Sequence, residues 1–371
     1  MAVVIKNKLQ MRTSTIKKIC ILAGMLLVFI IMEILIGIPG AISSQFKGLL
    51  VQICYNIILA VSLNLTVGIL GELSLGHAGF MCVGAFVGAV VSKCITVFSP
   101  GIPDIFKLLL AFILGGIFAA LFGLVIGVAV LRLHGDYLAI VTLAFGEIIW
   151  KLLQAVIIIT DSSGIHISLG SSITGLDEQA REIAGGNRGI SGFGRINGDQ
   201  YGFAIAFILA FITVWLVLNL IHSRTGRAVK AIRDNSIAAE SVGINIKKLK
   251  LIIIIISAFF AGIAGVLYAH FNGQFYATQQ DYGYIMSINI LVFVVLGGMS
   301  STLGSMLAAI VLTILPEMLR FLNDYRLLIY ALVLICMMLF RSNPTLMGFV
   351  SKIKNEIKGL FIRKKGRVHN D

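Results

Sequence analysis

Apolar residues follow one another in blocks of about twenty along this chain, separated by shorter polar stretches. One membrane-spanning helix consumes roughly 20 apolar residues. The blocks predict ten spans, near residues 19–38, 48–70, 78–98, 106–131, 137–160, 201–222, 250–271, 286–298, 302–322 and 327–341. The expected fold is an all-α integral membrane protein of about ten transmembrane helices, with broken or re-entrant segments. An even number of spans leaves both termini on one side. The chain then divides into an N-terminal segment 1–18, a membrane domain 19–341 and a basic tail 342–371.

Composition sharpens this picture. Of 371 residues, 58% are apolar and 13% charged, against roughly 45–50% and about 25% in soluble domains. Almost nothing is left for a water-soluble core, which excludes a large catalytic domain outside the membrane. The net charge of +13 could suggest nucleic acid, but its distribution gives another reason. With a cytoplasmic N-terminus, 21 basic residues fall in inside segments and six in outside ones. That is the positive-inside asymmetry that orients membrane proteins, and it accounts for the charge without nucleic acid. The basic residues before the first span, together with its length and lack of a small-residue cleavage site, predict a retained anchor and not a cleaved signal.

Two loops exceed simple connectors. The outer one, 161–200, is rich in Gly and Ser and is expected to be an irregular excursion. The inner one, 223–250, has Ala228, Val229, Ile232, Ile237 to Ala239 and Val242 at helical spacing among charges, with Gly226 and Gly243 as breaks. It predicts a short amphipathic helix pair on the cytoplasmic face. Two polar runs interrupt apolar stretches: GELSLGH (Gly71 to His77) and GGMSSTLG (Gly297 to Gly304). Such runs are tolerated at membrane depth where a broken helix lines a cavity, and their similar placement hints at a repeat of about five spans. Gly115, Gly116, Gly123 and Gly127 lie along one span, and Gly79, Gly84 and Gly88 along another. Glycines so placed let helices approach closely in lipid. Tight packing and helices that slide during transport are both consistent with them. The five cysteines are scattered, without C-x-x-C spacing, and support neither a zinc ribbon nor a redox pair.

Four segments together resemble one family, the membrane permease subunits of bacterial ABC importers for branched-chain amino acids. They are SLNLTVGILGELSLGHAGFMCVGAF (Ser62 to Phe86), LRLHGDYLAIVTLAFGEII (Leu131 to Ile149), the stretch from Thr225 to His270, and VLGGMSSTLGSMLAAIVLTILPEMLR (Val295 to Arg320). The chain is most similar to the longer, LivM-type member of the permease pair. GISGF (Gly189 to Phe193) resembles the family's external motif, whereas the stretch 170–187 looks like an insertion. The resemblance implies a half-pore that pairs with a second permease subunit, two cytoplasmic ABC ATPase subunits and an external solute-binding protein, in a bacterial inner membrane. It implies no cofactor on this chain, with ATP and Mg held by the ATPases. In agreement, no Gly-Lys dipeptide occurs in the sequence, so a phosphate-cradling G-x-x-x-x-G-K-[ST] loop is absent.

Permeases of this kind insert a cytoplasmic helix into a groove of the ATPase, through a pattern of Glu-Ala-Ala followed by Gly. Here Ala238, Ala239 and Gly243 match it, while Ile237 stands where the pattern has Glu. The candidate coupling residues are Arg227, Arg233, Asp234, Ala238, Ala239, Glu240 and Gly243, the charged ones expected to pair across the interface. A solvated loop that only sets orientation is the competing reading. For the translocation path or helix breaks the candidates are Asn64, Gly71, Ser74, Gly76, His77, Glu147, Asn289, Gly297, Gly298 and Gly304. Ser300 is a further polar position, and each polar one is equally a partner for interhelical hydrogen bonds.

An ionisable group within a span costs roughly 2.5–3.5 kcal/mol on insertion scales, so each needs a reason. Glu147 and Lys151 stand four apart and are expected to pair. Glu72 and His77 flank a polar break and are expected to hold it. Glu317 and Arg320, and Glu33 and Lys93, lie near outer span ends, within reach of water. A secondary transporter would align several buried carboxylates, and only Glu147 sits mid-span. A membrane enzyme would rest on His77, His134 and Asp136, but His134 and Asp136 fall in a short cytoplasmic turn with no nucleophile or metal partner nearby, and His166, His222 and His270 are scattered.

Overall fold

A computed structural model describes residues 2–38, 43–99, 101–131, 133, 135–161, 164–170, 181–196 and 200–319, with isolated positions from 325 to 335. Side chains are described from residue 18 onward, except at 44, 165 and 200. The chain runs through α1 (Ala2–Gly37), α2 (Ser44–Asn64) with a π-helical continuation (Leu65–Leu70), α3 (His77–Phe98), α4 (Asp104–Val130) and α5 (Asp136–Ala155). Strands β1 (Val156–Asp161), β2 (Gly164–Leu169), β3 (Arg181–Gly185) and β4 (Ile190–Ser191) follow. Then come α6 (Gln200–His222), α7 (Arg224–Asp234), α8 (Ser236–Ser241), α9 (Ile246–Asn272), β5 (Gln274–Phe275), α10 (Gln279–Tyr282), α11 (Tyr284–Gly297) and α12 (Thr302–Met318).

Among the described residues, eight helical segments are long and apolar enough to cross a membrane, and α12 is a shorter apolar helix. This is an all-α, multi-pass membrane protein. The tenth expected span, 327–341, lies mostly outside the described residues, and the tail 342–371, Arg132, His134, Arg320, Arg326 and Cys336 lie outside them altogether. Residues 1–313 form one compact unit and residues 314–371 another. Of the second, the structure describes the end of α12, with Pro316 inside it, and helical positions between 328 and 335.

Burial ranks the spans. The α2 segment is 94% buried and sits at the centre, whereas the apolar span of α1 is only 11% buried and lies at the periphery. The helices α3, α4 and α9 pack most tightly on one another, and small residues are the reason. A Cβ built on Gly84 of α3 would lie 2.2 Å from the Gly262 carbonyl oxygen of α9, and one on Gly262 would lie 2.4 Å from Ala119 Cβ of α4. These backbones touch directly, giving the tight-packing reading its geometry.

Two expectations change at the ends of the bundle. The fifth span was expected to run to residue 160, but α5 stops at Ala155 and Val156-Ile157-Ile158-Ile159-Thr160 continues as β1. Hydrophobicity alone reads this run as helix. Its β-branched side chains favour an extended backbone once the chain leaves the membrane. The outer loop is accordingly not irregular throughout: β1 pairs antiparallel with β2 and β3 in the order β2-β1-β3, while β4 pairs with β5. Since α9 begins beside α8 and ends beside β5, these strands cap the end of the bundle opposite α7 and α8. Residues 171–180, within the expected insertion, lie outside the described residues.

Candidate functional site

Each helix of the inner loop starts on a side-chain cap, which is why a polar stretch holds a defined shape. Ser223 accepts from the Gly226 N–H to open α7, Asn235 from Ala238 to open α8, and Asn245 from Lys248 to open α9. Gly243 has φ +84, a conformation that a residue with a Cβ enters only under strain. It turns the chain from α8 back toward α9. In α7, Val229 and Ile232 are buried against the bundle. Burial holds Lys230 below the usual lysine range, with nearby Arg233 acting the same way and Asp234 opposing it.

The tip presents a different surface. Ile237 and Val242 are 81% and 75% exposed, while Ala239 is 3% exposed and faces its own chain. Ala238, Glu240, Asp234 and Arg227 are exposed, and Arg227 donates to the His222 carbonyl oxygen at 2.9 Å. Arg233, expected to point across an interface, is engaged within the chain. Its Nη1 donates to the Gly68 carbonyl oxygen at 3.0 Å and to Ser300 Oγ, and its Nε and Nη2 donate to Asp234 Oδ1 at 3.2 and 3.0 Å.

Both polar breaks come to this same face. Gly71 to His77 is the turn between the α2 segment and α3, and Gly298 to Ser301 is the turn between α11 and α12. Ser300 Oγ donates to the Gly68 carbonyl oxygen at 2.7 Å, linking the two turns directly. Gly297 packs on Gly304, where an added Cβ would lie 1.9 Å from the Gly297 oxygen. Gly71, with φ +84, lies under the stem of Arg233, and Gly76 lies against the Thr142 carbonyl oxygen. Several buried polar groups hold the first turn in place. His77 Nε2 is 2.8 Å from Ser62 Oγ, Thr142 Oγ1 accepts from the Leu75 N–H at 3.1 Å, and Ser287 Oγ accepts from the Ala78 N–H at 3.2 Å. Glu72 pairs with Lys250, and both side chains are largely buried.

Of the remaining path candidates, Ser74 and Asn64 lie beside the first turn. Ser74 lines a cavity of about 20 Å³ with Thr66, Glu72, His77, Thr142 and Ser257, room for about one water molecule. Asn64 is fully buried at the junction of α2 and the π-helical stretch, beside Gly68, and neither of its amide atoms has a partner. Asn289 lies half-buried on α11. Glu147 follows Gly146, which packs on Gly76 of the first turn, and the ion pair expected with Lys151 is not formed. Glu147 instead accepts from Trp150 Nε1 at 2.8 Å and from the Tyr284 backbone N–H at 2.7 Å, while Lys151 lies over the Trp150 ring at 5.6 Å. Helical spacing placed the Lys within reach, but an unsatisfied N–H at the start of α11 is the stronger claim on a carboxylate. Glu147→Ala is expected to lower the stability of the folded protein by about 1.5–3 kcal/mol, the range for hydrogen bonds to charged groups. Thermal unfolding in detergent, followed by Trp fluorescence, checks this, with Glu147→Gln losing less. Glu33, expected to reach water, buries Oε2 without a partner.

Sequence reasoning missed the link between Arg233 and the two turns, and the pair of Glu72 with Lys250. The only signal was the set of seven basic residues in the inner loop, of which Arg233 and Lys250 are two. Among the described residues no group of three metal-type ligands is assembled.

The sequence profile described as the branched-chain amino acid transport system / permease component matches residues 45–338. The chain is 34% identical over 297 residues to the high-affinity branched-chain amino acid transport system permease protein LivM of Escherichia coli K12, covering 78% of this chain and 67% of that one. It is 26% identical to the fructose import permease protein FruG of Bifidobacterium longum, over 75% of each chain. It is 25% identical to the permease protein LivH of Salmonella typhimurium, over 73% of this chain and 83% of that one. No solved structure matches. The family's profile covers both turns, the inner helix pair and every path candidate named above, and this chain belongs to the branched-chain amino acid transport permease family.

Proposed function

We propose that this chain is the membrane-embedded permease subunit of an ABC importer that brings branched-chain amino acids, Leu, Ile and Val, or closely related small amino acids into a bacterial cell across the inner membrane. Its partners are a second permease subunit, two cytoplasmic ATPases that hold ATP and Mg, and an external solute-binding protein. The chain itself binds no cofactor and performs no catalysis. The observation that carries this reading is the 34% identity to LivM over 78% of the chain. The inner helix pair supports it: a capped, rigid tip exposes Ile237 and Val242 among charges, the pattern of a protein contact and not of a solvated linker. Candidate path residues are Asn64, Ser74, His77 and Asn289.

The similarity to FruG gives a second cargo reading, a sugar. Proteoliposomes decide. The chain alone is expected to accumulate no solute uphill. The chain with its cognate permease, ATPases and binding protein is expected to accumulate Leu, Ile or Val with ATP inside, against excess fructose. Uphill uptake by the lone chain would end the reading, and displacement of Leu by fructose would move the cargo to sugars.

A further inference from the structure

Among the contacts of the basic face, one side chain joins three elements that are far apart in sequence. The π-helical stretch ends at Leu70, and both the Gly71 and Glu72 N–H groups donate back to the Thr66 carbonyl oxygen. The Gly68 carbonyl oxygen, near the end of the helix, is left for other donors. A helix C-terminus carries partial negative charge and unsatisfied carbonyls, so it favours a cation that can donate hydrogen bonds. Arg233, in the last turn of α7, supplies one: Nη1 reaches Gly68 at 3.0 Å and also Ser300 Oγ. Ser300 in turn donates to the same Gly68 oxygen at 2.7 Å. Its φ of +74 is the sole positive value at a non-glycine position among the described residues. A serine held there costs energy and persists where neighbouring contacts impose it.

Two features make the joint stiff. Asp234 Oδ1 accepts from both Nε and Nη2 of Arg233, orienting the guanidinium. Gly71 leaves no room beneath the stem: a Cβ there would lie 2.6 Å from Arg233 Cγ. The other end of the inner loop is tied to the same turn through Lys250 and Glu72.

We propose that Arg233 is the positioning residue through which motion of the α7–α8 element is delivered to both helix turns, Gly68–Gly71 and Gly298–Ser301, so that the two turns move together in each transport cycle. The inference rests on the proposed function, since it needs an ATPase to push on α8. Glu72 and Lys250 hold the opposite end of the loop and keep the push from being absorbed by slack.

The test uses the complete transporter, chain plus second permease, ATPases and binding protein, in proteoliposomes. Arg233→Gln is expected to leave ATPase recovery intact and to lower solute taken up per ATP hydrolysed by roughly tenfold, within the usual range of couplings between sites. Ser300→Ala is expected to lower it less, and the double variant to match Arg233→Gln alone, since both changes break one joint. A residue that only stabilises the fold would shift thermal unfolding and leave the uptake-to-ATP ratio unchanged. Full uptake per ATP in Arg233→Gln, or strict additivity in the double variant, overturns the proposal. If Arg233→Gln gives no folded protein, an unchanged ratio in Ser300→Ala overturns it. Wild-type chain that recovers no ATPase overturns the proposed function and this inference with it. Wild-type recovery with an unchanged ratio in Arg233→Gln removes the joint alone.

Discussion

Glu in place of Ile237, or of Val242, is expected to strip the ATPase subunits from the transporter while leaving this chain folded and inserted. The two side chains are 81% and 75% exposed and make no contribution to the chain's own core. An apolar pair projecting from a capped helical tip is the kind of anchor that fills a partner's pocket. Loss of such an anchor costs about 2 kcal/mol or more, and a buried charge adds desolvation to that loss. A roughly 30-fold fall in ATPase recovered on the tagged chain is the expected result, with uptake falling in parallel. Membrane insertion and thermal unfolding should be unchanged. Unchanged ATPase recovery would show that the tip is not the contact. Bulky charges at Ala239 and Gly243 are less informative tests, although both belong to the motif. Ala239 is packed inside, and Gly243 has a φ of +84, so either change disturbs the loop itself.

The second large effect lies in the core. Gly265→Leu is expected to leave almost no folded protein, because a Cβ at this position would lie 1.9 Å from the Met81 carbonyl oxygen and 2.8 Å from its carbon. Overpacking against side chains costs about 1–3 kcal/mol and more where nothing can give. Here the obstacle is backbone of α3, which cannot rotate away. Gly88→Leu should cost less, since the atoms nearest its Cβ belong to the side chain of Val266 and not to backbone. Gly24→Leu, with nothing within 4 Å, should be neutral. The monodisperse fraction after detergent extraction checks the order. Equal yields for Gly265→Leu and Gly24→Leu would mean that α3 and α9 do not lie as close as described.

These predictions differ in how much of each could be read from the chain alone. The membrane class, most span positions, the inner helix pair and its break at Gly243 were legible because each depends on local order, whereas Gly226, expected as a break, lies buried inside α7 and the chain breaks at Asn235 instead. A run of twenty apolar residues, apolar positions at helical spacing, and a glycine among helix formers act within one or two turns. The glycine stripes were legible as close packing, although which helix each one met was not. Val156 to Thr160 misled a reading based on hydrophobicity, which does not separate a β-branched strand from the end of a span. Glu147 and Lys151 misled a reading based on spacing: helical periodicity supplies a neighbour, but the neighbour that wins is set by unsatisfied groups on other elements, here the Tyr284 N–H.

By itself the sequence determined that this protein lives in lipid, where most of its spans lie, how its basic residues divide between alternate loops and which family it belongs to. Those properties are sums over neighbours along the chain, and a one-dimensional string carries them. Only the tertiary structure decided that Ala239 faces in while Ile237 and Val242 face out, and that Gly68, Arg233 and Ser300, the first and last separated by 232 positions, meet at one oxygen atom. A hydrogen bond acts over about 3 Å and needs a definite direction, so its partners exist only once the helices have packed and their unsatisfied carbonyls have found donors.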